Sequence, residues 1–183
     1  MKNLVFLVGF MGSGKTTLAK KMAKRLGIAF MDLDQLIISK TGKAISDYFQ
    51  QHGEESFRII ERNVLREINM EEPMIISVGG GTPCFHENMK WMNAHGQTIY
   101  LKISSRGLWK RLTQSDINKR PVLKGLQGEE LFNFIEEELN LREPFYLQAS
   151  CHIDQMKDSV NEVIQKCGLD RFQQPNHFKT NSQ

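Results

Sequence analysis

Residues 9–16 read GFMGSGKT and match the pattern G-x-x-x-x-G-K-[ST]. No other stretch of this 183-residue chain constrains its fold as tightly. The run before it, LVFLV at 4–8, is continuously apolar and rich in branched and aromatic side chains, as a strand buried on both faces of a parallel sheet would be. After it, Leu18, Met22 and Leu26 recur at four-residue spacing among lysines, and Gly27 closes the pattern, so a helix over 15–26 is predicted. A strand, a glycine-rich loop and a helix in that order form a phosphate cradle. Gly9, Gly12 and Gly14 permit turns that other residues resist, so backbone N–H groups can point inward at phosphate oxygens. The helix dipole and the Lys15 ammonium add positive charge, and the Thr16 hydroxyl suits Mg²⁺. ATP contacts are therefore expected from Gly12, Ser13, Gly14, Lys15, Thr16 and Thr17. The plainer alternative is a tight glycine turn joining strand to helix.

Further along, apolar segments at 28–33, 74–78 and 98–103 alternate with helical stretches near 54–69, 86–94 and 105–114. Such alternation predicts an α/β chain with a doubly wound sheet. A polar segment at about 115–127 carries Pro121 and reads as a mobile lid, followed by an acidic helix from about Glu129. A strand near 151–153 and a helix over 158–167 complete one domain, spanning 1–172, and 173–183 reads as a flexible tail.

Composition removes several classes of function. Twenty-four Lys and Arg against twenty-one Asp and Glu leave a net charge of +3, too mild to predict a nucleic-acid partner. No run is long enough to span a membrane, and no targeting segment is visible. Cys84, Cys151 and Cys167 are an odd number without a CxxC pair, which argues for reduced thiols and a cytoplasmic protein rather than a disulfide framework or a zinc site. Nothing advertises an interface, so a monomer is expected.

The phosphate loop alone does not identify an acceptor. Asp32 and Asp34, in FMDLD at 30–34, are two apart at the expected end of the second strand, where they would share a face. One carboxylate could hold Mg²⁺ through water while the other contacts a substrate hydroxyl. An N-cap role for Asp34 with Asp32 in solvent fits the same residues. In GEESFRIIE at 53–61, Glu61 lies three residues from Arg58 and could steer it, although a lone helical arginine is more often solvated. Gly79, Gly80 and Gly81 close an apolar strand, and three residues without side chains suit close backbone approach to a ligand, or else a plain loop. Arg120 in the lid segment and Arg142 before Glu143-Pro144 suit neutralisation of transferring charge and a clamp on an anionic acceptor.

Taken in order, GFMGSGKTT at 9–17, FMDLD, GEESFRIIE, GGG, KRPVL at 119–123 and LREPFY at 141–146 resemble the shikimate kinase family over about residues 1–168. The resemblance implies a five-stranded parallel sheet of the nucleoside-monophosphate-kinase type, a lid, and a separate acceptor-binding region at about 34–61. It implies transfer of the ATP γ-phosphoryl group to shikimate, giving shikimate 3-phosphate and ADP. By the same resemblance, Asp34 holds the shikimate hydroxyls as candidate base, and Arg58 and Arg142 grip the carboxylate with backbone from Gly80 and Gly81. Asp32 and Thr16 organise Mg²⁺, Arg120 is the lid arginine and Arg111 lies by the adenine. Rival readings are a kinase acting on gluconate or a nucleoside monophosphate, and a noncatalytic nucleotide switch.

Overall fold

The computed structural model describes residues 2–114, 121–123, 125–154 and 157–172. Arg120, most of the expected lid and the 173–183 tail lie outside the described residues. Five strands, β1 (Leu4–Val8), β2 (Ala29–Asp32), β3 (Met74–Ser77), β4 (Gly96–Lys102) and β5 (Cys151–Asp154), form one parallel sheet in the order β2-β3-β1-β4-β5. The LVFLV run is thus the central strand, and all five of its side chains are fully buried.

Alternation along β1 sorts the core into two layers. Leu4, Phe6 and Val8 pack with Leu33 and Ile37 of α2 (Leu33–Thr41), Phe57 and Leu65 of α3 (Ile45–Arg66) and Met92 of α4 (Asn88–His95). Leu112 of α5 (Ser105–Thr113) and Leu131 and Tyr146 of α6 (Gly128–Tyr146) join the same layer. Val5 and Leu7 face the other way, onto Leu18 and Met22 of α1 (Lys15–Leu26) and Val163 of α7 (Val160–Lys166). Helices on both faces make the sheet doubly wound, as the alternation predicts.

Two local expectations change. The second strand stops at Asp32 rather than running to 33, because the Asp32 side chain accepts from the Gln35 backbone N–H at 3.3 Å and caps α2. Helix α3 begins before residue 54, with an interruption at Gly53, whose φ of 77° is readily available only to glycine.

The expectation of three reduced thiols is corrected: Cys151 and Cys167 are disulfide-bonded, with Cα atoms 6.0 Å apart. The crossover geometry is the reason. A helix that follows a parallel strand runs back antiparallel to it, so the residue ending α7 returns beside the residue starting β5, sixteen positions earlier. Cys84 is free and half-buried, and burial pushes its thiol up to about 11.

Candidate functional site

The phosphate loop joins the C-terminal end of β1 to α1. Gly9, Gly12 and Gly14 have φ values of 140°, 78° and 90°, and Gly14 is the residue that starts the helix. Lys15 is buried, its Nζ donating to the carbonyls of Gly9 at 2.8 Å and Phe10 at 2.9 Å, so the ammonium is held over the loop it serves. Arg111 of α5 donates to the Ser13 carbonyl at 3.0 Å, placing that arginine on the loop's flank. Thr16 and Thr17 are exposed in the first turn of α1.

The Thr16 hydroxyl donates to Asp32 Oδ2 at 2.8 Å and lies 3.1 Å from Ser77 Oγ at the end of β3. Two hydroxyls and one carboxylate therefore converge beside the phosphate loop, which fits a Mg²⁺ ion that takes few protein ligands and completes its shell with phosphate and water. Among the described residues there is no group of three or more His, Cys, Asp and Glu side chains suited to a metal ion.

Asp34 is not on the strand but in the first turn of α2. Burial, and then the neighbouring Asp32 and Glu61 carboxylates, push its carboxyl up to about 6 against the opposing pull of Lys15 and Arg58. The two-apart spacing of Asp32 and Asp34 brings them to one site, though by the turn from strand into helix rather than by a shared strand face. The capping residue is Asp32, which leaves the Asp34 side chain available to the site.

Arg58 is buried on α3 and tightly fixed. Its Nη1 donates to Glu61 Oε2 at 3.0 Å, and its Nε and Nη2 donate to Glu54 Oε1 at 3.2 and 2.9 Å. The Phe85 ring centroid is 4.2 Å from its guanidinium carbon. Glu61, 1% exposed, also accepts from Thr82 Oγ1 at 2.5 Å. Arg142 on α6 pairs with Glu138 and lies over the Phe10 ring at 5.5 Å.

Both arginines converge on the triple glycine. A β-carbon at Gly81 would meet Arg58 Nη2 at 2.6 Å, and one at Gly80 would stand 3.2 Å from the Met11 backbone nitrogen and 3.7 Å from Arg142 Nη1. At Gly79 it would be 3.0 Å from Asp34 Oδ1 and from Thr82 Oγ1. The missing side chains thus make room first for the protein's own site residues. Sequence reasoning did not assign Ser77, Thr82, Glu54, Glu138 or Tyr146 to this region. The i, i+4 pattern E-x-x-x-R, present at both 54–58 and 138–142, was the available signal for the two glutamates.

A model of the shikimate kinase family matches residues 11–170. A shikimate kinase from Parabacteroides distasonis is 53% identical over 153 residues, covering 84% of this chain and 88% of the relative. Among solved structures, a shikimate kinase from Bacteroides thetaiotaomicron superposes with a TM-score of 0.82 at 38% identity, covering 92% of this chain and 96% of that one. Another, from Acinetobacter baumannii in complex with shikimate, gives 0.78 at 29% identity, covering 92% of each chain.

Proposed function

The chain belongs to the shikimate kinase family, and from that premise we propose how its own residues carry the reaction. It is an ATP-dependent kinase that transfers the γ-phosphoryl group of ATP to the 3-hydroxyl of shikimate, yielding shikimate 3-phosphate and ADP on the route to chorismate and the aromatic amino acids. The single observation that carries the residue assignment is the convergence of Arg58 and Arg142, from two different helices, on the adjacent Gly81 and Gly80 beside Asp34. Two guanidinium groups at one backbone edge suit a carboxylate, and a nearby carboxyl poised near neutrality suits a hydroxyl.

In this reading the phosphate loop and Lys15 hold the ATP phosphates, with Gly12, Ser13, Gly14, Thr16 and Thr17 around them and Arg111 at the flank. Arg58 and Arg142 grip the acceptor carboxylate against the Gly80 and Gly81 backbone. Asp34 orients the acceptor hydroxyl and takes its proton late, as the hydroxyl oxygen bonds to the γ-phosphorus and the bridge to the β-phosphate breaks. Thr16 and Asp32 are the residues that would hold Mg²⁺ with ATP; when bound, the ion supplies charge neutralisation between the phosphates. Arg120 is assigned as the lid cation, within a lid at about 115–127 of a single domain over 1–172.

A monomer is proposed because nothing in the sequence advertises an interface. Neither a nucleic-acid nor a membrane partner is proposed, given the small net charge of +3; among the described residues no helix is long and apolar enough to cross a membrane. Dependence on ATP supports a cytoplasmic location.

The test is ADP release by purified protein with Mg²⁺ and ATP, comparing shikimate with gluconate and AMP. Strong stimulation by shikimate alone is expected. Stimulation by gluconate or AMP instead would leave the phosphate loop assignment standing and remove the acceptor roles of Asp34, Arg58 and Arg142.

A further inference from the structure

We propose that Tyr146 is a positioning residue for the acceptor carboxylate, its hydroxyl holding the Gly80 backbone beside the Arg142 guanidinium at one edge of the site. The inference rests on the acceptor assignment above. Tyr146 is the last residue of α6, one helical turn beyond Arg142, so both side chains leave the same face toward the glycine loop. Its ring is fully buried, 5.3 Å from the Tyr100 ring. The hydroxyl donates to the Gly80 carbonyl at 2.6 Å, and the Arg142 guanidinium lies beside the same glycine, its Nη1 3.7 Å from where a β-carbon would be.

A buried phenol hydroxyl that donates to a backbone carbonyl holds the orientation of that peptide. Here the acceptor is the backbone of Gly80, a residue with no side chain to hold it, and Arg142, the cation assigned to the substrate, stands beside that glycine. Gly80 also borders the phosphate loop, with the Met11 backbone nitrogen 3.2 Å from where its β-carbon would be. Fixing its peptide therefore sets the distance from the acceptor edge to the ATP side. Glu138, one turn before Arg142, holds the guanidinium from the opposite direction. Burial drives the Tyr146 phenol far above its ordinary range, so it remains an O–H donor wherever the enzyme works.

A purely structural hydroxyl would contribute stability and nothing more. The distinguishing experiment is steady-state kinetics of Tyr146→Phe, which keeps the packed ring and removes only the oxygen, alongside thermal melting. The expected result is a shikimate KM raised about tenfold, with kcat and the ATP KM within about twofold of wild type. In an Arg142→Lys background the same change should add less than about twofold, because the hydroxyl and the guanidinium serve the same edge of the carboxylate site. Tyr100→Phe is the control: its hydroxyl donates to Glu143 at 3.1 Å, so its loss should lower the melting temperature and leave the shikimate KM unchanged.

An unchanged shikimate KM in Tyr146→Phe with a lowered melting temperature would overturn the proposal, as would failure of that variant to fold while Tyr100→Phe folds. The wild-type arm separates the two layers. Wild-type protein that ignores shikimate removes the acceptor reading and the inference with it, whereas normal wild-type turnover with a kinetically normal Tyr146→Phe removes the inference alone.

Discussion

The guanidinium of Arg58 lies against the Cα of Gly81, so that a β-carbon there would stand 2.6 Å from Nη2 and 2.9 Å from Nη1. A guanidinium at the end of a long side chain ordinarily swings aside for a methyl group. This one is tied to Glu54 and Glu61 and covered by Phe85, so it has little freedom to yield. Both Glu61 oxygens are in turn engaged, one by Arg58 and one by Thr82. The glycine is therefore a spatial requirement of a fixed cation.

Gly81→Ala should displace Arg58 from its position rather than unfold the chain, since the clash is with a side chain and the φ of Gly81, −85°, is open to alanine. We expect the shikimate KM to rise at least about tenfold, with the ATP KM unchanged and the melting temperature lowered only modestly. Steady-state kinetics varying each substrate in turn would check this, and a wild-type shikimate KM in the variant would show that Arg58 does not grip the acceptor.

Asp34→Asn should bind ATP normally and lose at least about a hundredfold in kcat, the lower end of what a positioned general base contributes. The same variant tests the raised pKa. An unfolded Asp34 titrates near 3.8 and the folded one near 6, so between those values the folded chain holds more proton. Its contribution to stability is fully present below about pH 4 and is lost as pH rises through 6, by up to about 3 kcal/mol, of which roughly 1 kcal/mol falls between pH 5 and 7.5. Urea unfolding at those two pH values should show wild type losing that increment relative to Asp34→Asn; parallel behaviour would mean an unshifted carboxyl.

Closing a loop of about this length with the Cys151–Cys167 bridge corresponds to about 3 kcal/mol of stability in the chain-entropy account. Reductant should accordingly lower the melting temperature of the oxidised protein while leaving the shikimate KM alone, since the bridge joins β5 to the end of α7 on the face away from Arg58 and Arg142. Cys151→Ser should melt at the reduced wild-type temperature and ignore reductant. Identical melting of wild type with and without reductant would remove the bridge from the stability of the fold.

Much of the site is legible before folding because its chemistry is local. The phosphate loop needs a glycine pattern, a lysine and a hydroxyl within eight residues, and such a signal survives in one dimension. The strands at 4–8 and 74–77 announce themselves by short apolar runs. Helix α2 does not, since its start is disguised as the continuation of β2 and only the Asp32 side chain bonding back to Gln35 marks the break. Ser77, Thr82 and Tyr146 give no warning either: each is an ordinary residue until another part of the chain is laid against it, as Thr16, Glu61 and Gly80 are.

The sequence by itself determined the α/β class and the phosphate-binding loop, because those depend on residue type and short spacing; the roles of Asp34, Arg58, Gly80, Gly81 and Arg142 were implied by the family resemblance. Only the tertiary structure decided that Asp32 caps a helix while Asp34 is raised toward neutrality, that Cys151 meets Cys167, and that Tyr146 bonds Gly80. The reason is physical: electrostatic shifts, disulfide pairing and buried hydrogen bonds depend on distances between groups far apart in the chain, and those distances exist only once the sheet has been wound on both faces.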